Sequence, residues 1–109
     1  MENETQLDAI FYALADSRRR LLLAELAAGP KTVSQLADLL VMNLSAASKH
    51  ISVLQQAKLL HKVRCGRQLY CHVNFDTWQL LSHYIAMQAN FWSGRLDELD
   101  SYLKKSGVH

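Results

Sequence analysis

The sequence predicts a mainly α fold with one small β-hairpin (α+β), built as a single domain over residues 1–109. Three observations carry that expectation. Five stretches repeat apolar residues at three- and four-residue steps, the spacing of one helix face. A sixth, just before the last of them, alternates around a glycine, as a hairpin does. With 109 residues, half of them apolar, the chain can bury one core.

The first helix is read over residues 5–15, with Leu7, Ile10, Phe11 and Leu14 on one face. Asp16 or Ser17 can cap the second, which runs to about Ala28 and stops at Gly29-Pro30. Leu21, Leu22, Leu23 and Leu26 make it strongly apolar. Arg18, Arg19 and Arg20 open it. Cations at the positive end of a helix are locally unfavourable, so some of them should meet an anion or a carboxylate. Solvation plus pairing with Asp16 is the plainer account.

Residues 33–57 hold two short helical patterns around a polar joint, Met42-Asn43. Leu36, Leu39 and Leu40 give the first an apolar face, and Ala47, Ile51 and Leu54 the second. The small Ala37 allows a close crossing, and Asn43 stands where an N-cap belongs. This is the pattern of a helix-turn-helix, whose second helix enters the DNA major groove. The position of Val41 is more often glycine. Leu44, Ser45, Ala46, Ser48, Lys49 and Ser52 lie outward on the second helix, short, polar or basic, with no carboxylate among them. Such a face fits between phosphates, where acids would be repelled. An ordinary solvated helix face is the alternative.

His61 to Cys65 and Leu69 to Val73 read as two strands around Gly66-Arg67-Gln68, a wing over residues 61–74. Val63 and Cys65 are expected to face inward, with Leu69, Cys71 and Val73. Lys62 and Arg64 then lie on the exposed side, and Arg67 at the tip, within reach of phosphates or the minor groove. Asp76 is read as the cap of a last helix over residues 76–104. Its apolar positions include Trp78, Leu81, Tyr84, Ile85, Phe91, Trp92, Leu96, Leu99, Tyr102 and Leu103. A domain this small cannot cover so long a stripe alone. The expected cover is the same helix of a second copy, helped by the first helix, so that Leu7, Phe11, Leu81, Ile85, Trp92, Leu96, Leu99 and Leu103 form a homodimer interface.

Charge is unevenly placed. From Leu39 to Phe75 the chain has five bases and no acids, +5, whereas the remainder has seven bases and ten acids, −3. This asymmetry suits a polyanion such as duplex DNA. No apolar run approaches the ~20 residues of a membrane span, and the acidic start MENETQLDAI is unlike a signal peptide. A cytoplasmic protein with reduced thiols is therefore expected. No nucleophile, base and orienter set is visible, nor a glycine loop for phosphates, so neither an enzyme nor a cofactor is indicated. A protein interaction module without DNA binding would keep the apolar stripe but needs no acid-free basic span.

The order helix, helix, helix-turn-helix, wing, long terminal helix resembles the arsenic-repressor (ArsR/SmtB) family of dimeric bacterial winged-helix repressors. The motifs are ALADSRRRLLLAELAAG at 13–29, MNLSAASKHISVLQQAKLL at 42–60 and GRQLYCHVN at 66–74. FWSGRLDELDSYL at 91–103 is similar to a metal-independent branch whose members often repress their own operon. The resemblance covers about residues 7–104. It implies a homodimeric repressor on an inverted-repeat operator, with groove contacts at Leu44, Ser45, Ala46, Ser48, Lys49 and His50 and a wing contact at Arg67. Leu44 departs from the usual polar residue and is suited to a thymine methyl. The family's metal sensors place Cys-x-Cys on the first helix of the helix-turn-helix, and this helix, Val33 to Val41, has neither Cys nor His. A second family site uses Asp-x-His at the start of the last helix. Here Asp76 is followed by Trp78, with only His83 in that helix, so no metal is implied. Cys65 and Cys71 offer a redox alternative: if both face inward they lie diagonally across the hairpin, near disulfide range. No residue pattern names an inducer.

Overall fold

A computed structural model of the chain describes residues 2–107. Residues through Trp78 form one compact unit, and those from Gln79 onward a second. The elements run α1 (Glu2–Leu14), α2 (Ser17–Leu26), α3 (Val33–Leu39), α4 (Leu44–Gln56), β1 (Leu60–Cys65), β2 (Gln68–Val73) and α5 (Phe75–Lys105). This is the order that the apolar periodicity predicts, with helix ends displaced by a few residues.

In the first unit, α4 packs on α1, α2 and α3, and β1 packs on α4. Ile10, Leu22, Leu36, Ile51, Leu54, Leu59 and Leu60 are fully buried and make the core. Side chains at this density resist truncation, which leaves a cavity. Leu21 and Leu39, expected on apolar faces, are instead more than half exposed. The inner face of α3 centres on Leu36 and Ala37, with Leu40 half-buried beside them, and at 3.6 residues per turn Leu39 falls on its flank.

Several hydrogen bonds define the ends. Asp16, not Ser17, caps α2: its Oδ1 accepts from the backbone N–H of Arg18 at 2.8 Å and of Arg19 at 3.4 Å. α3 opens on a capping box, Thr32-x-x-Gln35. The Thr32 hydroxyl accepts from the Gln35 N–H, and the Gln35 side chain accepts from the Thr32 N–H. Asn43 caps α4 as expected, accepting from the Ala46 N–H at 2.8 Å.

α3 and α4 each end in a Schellman motif. Met42 N–H donates to the Ala37 carbonyl and Val41 N–H to that of Asp38; Leu59 N–H donates to Leu54 and Lys58 N–H to Gln55. The motif requires a left-handed residue, and here these are Val41 (φ 51°) and Lys58 (φ 61°). Glycine usually holds such a site because it has no Cβ to clash.

The arginine triplet finds partners beyond Asp16, in the carbonyls that end α1. Arg19 is buried; its Nε donates to the Ala13 carbonyl at 2.7 Å and its Nη2 to that of Tyr12 at 2.9 Å. The Arg20 guanidinium donates to the Leu14 carbonyl at 2.6 Å. Both cations thus sit at the negative end of α1, which offsets their place at the positive end of α2. Arg19 also lies 3.9 Å from Asp16 and stacks over the Tyr12 ring.

The hairpin differs from expectation in its faces. Cys65 pairs with Gln68 and Leu60 with Val73, so the turn has two residues, Gly66-Arg67, rather than three. Gly66 takes φ +65° while Arg67 does not have a positive φ, the pattern of a type II′ turn. Residues directly opposite share a face. Leu60, Lys62 and Arg64 therefore lie with Val73, Cys71 and Leu69, and His61, Val63 and Cys65 with His72, Tyr70 and Gln68. Val63 and Cys65 do not face inward: both are exposed, as is Leu69. Cys71 is buried because β2 is paired on both edges there, Lys31 forming a bridge with it through a 2.7 Å Cys71 N–H to Lys31 carbonyl bond. The Lys31 Nζ then turns back to the Glu25 carbonyl at the end of α2.

α5 begins one residue earlier than expected. Asp76 is therefore not its cap but lies in its first turn, where a carboxylate still complements the helix dipole. Further along, Ile85, Met87, Phe91, Trp92, Leu96, Leu99 and Tyr102 are all more than half exposed. Lys104 and Asp100 pair at 3.0 Å on the polar side.

Candidate nucleic-acid interface

The candidate interface centres on α4. Its buried line is Ala47, Ile51 and Leu54, each without solvent exposure. That line sets the opposite face outward: Leu44, Ser45, Ser48, Lys49 and Ser52 are exposed. No carboxylate lies on α4, and its buried and exposed residues fall on opposite sides of the helix. Ala46 is half-buried on the flank, as is His50, and both are recessed from the rest of the residues expected to touch DNA on this helix.

His50 stands apart from the outer face. It is half-buried and lies toward Asp16 at the start of α2. The Asp16 carboxyl is held below its ordinary value, first by the hydrogen bond from the Arg18 N–H, then by that from Arg19 and by the charges of Arg19 and His50. The line of α4 carrying Ala46 and His50 thus turns toward the start of α2. Arg18, Asn43 and Ala46 line one open cleft there, with Val41 and Met42 from the joint.

The wing leaves the core gradually. Along β1, Leu60 is buried, Lys62 half-buried, and Arg64 and Cys65 exposed. Arg67 stands at the exposed tip. Lys62 and Arg64 share a face with Leu69 and Cys71, not a separate exposed side as expected from a three-residue loop. On the opposite face His61 and His72 are cross-strand partners with stacked rings, centroids 5.6 Å apart.

The two thiols lie on opposite faces of the hairpin, which removes the geometric basis for a disulfide between them. Burial raises the Cys71 thiol pKa, against a smaller opposing effect of Lys62. A buried, protonated thiol is a poor nucleophile. Among the described residues, no three His, Cys, Asp or Glu side chains converge as metal ligands would, and no helix is long and apolar enough to cross a membrane.

Of the residues expected at a dimer interface, Leu7 and Leu81 are already buried, whereas Phe11, Ile85, Trp92, Leu96 and Leu99 are exposed and Leu103 is half-buried. Phe11 lies on α1 and the rest of that exposed set on α5. Phe91 and Trp92 meet edge to face, centroids 5.1 Å apart.

Comparison with known proteins agrees with this architecture. Residues 14–63 match a helix-turn-helix domain family. A curated relative, the HTH-type transcriptional regulator Rv2034 of Mycobacterium tuberculosis, is 42% identical over 53 residues, 49% of this chain and 50% of the relative; the match thus spans about half of each protein. The homodimeric winged helix-turn-helix DNA-binding domain of Mb0332 from Mycobacterium bovis is similar at 26% identity, with 83% of this chain and 84% of that one covered and a TM-score of 0.65. An ArsR-like regulator from Rhodococcus sp. RHA1 shares the fold at a TM-score of 0.84 over 94% of this chain and 96% of its own, with 24% identity. The crystal structure of an ArsR family transcriptional regulator, RHA00566, is 34% identical over 83% of this chain and 93% of its own, at a TM-score of 0.74. On that likeness, the chain belongs to the ArsR family of winged helix-turn-helix transcriptional regulators.

Proposed function

We propose that this regulator is a repressor that binds an inverted-repeat operator as a homodimer, controls its own operon and responds to no metal. The outer face of α4 carries the reading: exposed Leu44, Ser45, Ser48 and Lys49, with no acid on the helix, followed by a basic wing. Ser45 and Ser48 are short enough to let the helix approach base edges. Leu44 is suited to a thymine methyl, and Lys49, Arg64 and Arg67 to phosphates. The exposed apolar residues of α5, with Phe11 on α1, support a second copy as their cover, and the Mycobacterium bovis relative is homodimeric. Two copies related by a two-fold axis read two inverted half-sites. Occupying such a site excludes polymerase. A protein acting on chromosomal DNA in this way works in the cytoplasm.

Selection of bound duplexes from a random pool, followed by salt titration, tests this. Lys49, Arg64 and Arg67 in two subunits give about six phosphate contacts, and counterion release then gives a log–log salt slope on the order of −5. Arg67→Ala should reduce that slope by about 2 per dimer and weaken all duplexes alike. Ser45→Ala with Ser48→Ala should leave the slope alone and narrow the gap between operator and random DNA, by about 1–3 kcal/mol. An unchanged slope for Arg67→Ala would remove the wing from the interface.

A further inference from the structure

We propose that Arg18, at the start of α2, grips a backbone phosphate of the bound duplex at the edge of the groove that α4 enters. The inference rests on α4 being the groove helix and adds a contact from outside the helix-turn-helix and the wing.

The argument begins with the triplet Arg18-Arg19-Arg20. Arg19 and Arg20 are committed to the fold through the carbonyls of Tyr12, Ala13 and Leu14. The neighbouring acid, Asp16, is committed too: it accepts from two backbone N–H groups and lies 3.9 Å from Arg19. Arg18 gives the fold only its backbone N–H. Its guanidinium has no hydrogen bond or ion pair among the described residues, and the residue is exposed.

Location gives that free cation a use. Arg18 is the one charged side chain lining an open cleft of about 500 Å³ whose other walls include Val41, Asn43 and Ala46. Asn43 and Ala46 are the cap and first turn of α4. A helix with its side chains is about 10–12 Å across and the major groove about 12 Å wide, so the phosphates on the groove's rim pass close against the helix flanks. The flank of α4 that carries Ala46 is a wall of this cleft. A phosphate on that rim comes to the cleft mouth, where Arg18 presents five donors in a planar fork suited to two phosphate oxygens. None of the other residues lining the cleft is a carboxylate, so the anion meets no competing negative charge there.

Arg18→Gln in the full-length protein tests the proposal, with Arg18→Lys and Arg19→Gln beside it. Each is titrated with salt on a selected operator and on random duplex, and each is melted without DNA. The expected result for Arg18→Gln is a salt slope shallower by about 1.8 for two subunits, at 0.9 per lost contact. Operator and random duplex should weaken by the same factor, and the melting temperature should match wild type. Arg18→Lys should recover most of the slope, and Arg19→Gln should lower the melting temperature. If wild type binds DNA and Arg18→Gln keeps its full slope, the phosphate contact is wrong and the α4 reading survives. A melting temperature lowered as far as in Arg19→Gln would assign Arg18 to the fold and overturn the proposal. If wild type selects no duplex at all, the α4 reading and this one fall together.

Discussion

Replacing Val41 by glycine should stabilise the protein. An L-residue in the left-handed region costs about 1–2 kcal/mol relative to its preferred backbone, and Val41 sits there at φ 51°. The side chain returns almost nothing in packing, because it is 92% exposed. Glycine removes the steric cost but brings a more flexible unfolded chain, about 0.5–1 kcal/mol in the other direction. The net gain is about 0.5–1 kcal/mol. For a domain of this size that raises Tm by roughly 3–6 °C. The assay is urea and thermal unfolding at one fixed protein concentration, since dimerisation would make Tm depend on it. The denaturant midpoint should rise with m unchanged, the mark of a stability effect on an unaltered fold. Gly66→Ala is the mirror experiment: nothing obstructs the added Cβ, but φ +65° makes it strained, so stability should fall by about 1 kcal/mol. A Val41→Gly protein that is less stable than wild type would mean that the joint is not left-handed in solution. The Schellman ending of α3 would then be wrong.

Three further expectations concern assembly, acid and thiols. Trp92→Glu combined with Leu99→Glu puts charges on the exposed face of α5, and sedimentation should find monomers, or the protein should precipitate, with operator binding lost. A soluble, dimeric double variant would exclude α5 from the interface. Asp16 has a folded pKa below its ordinary 3.8, so its contribution is complete above that value and is lost as pH falls through the depressed one. The Asp16→Asn variant should therefore show a flatter loss of stability below pH 3.8 than wild type, and parallel acid limbs would refute the Asp16 assignment. Cys65→Ser with Cys71→Ser should leave operator affinity unchanged under reducing conditions, as should zinc or a chelator on wild type; an intrachain Cys65–Cys71 disulfide found by mass spectrometry after mild oxidation would contradict the hairpin register.

Most of the fold is legible because it is local. Caps and apolar periodicity act within a few residues, so Asp16, Asn43 and the spacing of Ala47, Ile51 and Leu54 mark their elements unaided. The faces of the hairpin depart from the expectation for a reason of parity. A three-residue loop would pair Cys65 with Leu69, whereas the two-residue turn pairs it with Gln68, and a shift of one residue exchanges the faces of a strand. The bridge between Lys31 and Cys71 joins segments forty residues apart, and no local pattern announces it. The carbonyl partners of Arg19 and Arg20 depend on how α1 approaches α2, which is a tertiary fact. Spacing from Leu36 alone puts Leu39 inward, but the buried face of α3 is centred between Leu36 and Ala37 and leaves Leu39 on its flank. The outer residues of α4 were readable because burial of Ala47, Ile51 and Leu54 leaves them only one side to occupy.

The bracketing of α4 has an evolutionary consequence. Its start is held by Asn43 and by the Schellman bonds that close α3, and its end by the bonds of Lys58 and Leu59. Its position is thus set by backbone geometry at both ends and by three inward side chains. The side chains of Leu44, Ser45, Ser48, Lys49 and Ser52 make no hydrogen bond or ion pair among the described residues. Those five positions can change with little effect on folding, so a duplicated copy of the gene could drift to a new target sequence without first passing through an unstable intermediate. A combinatorial library confined to them should yield mostly folded proteins that differ in the sequences they bind.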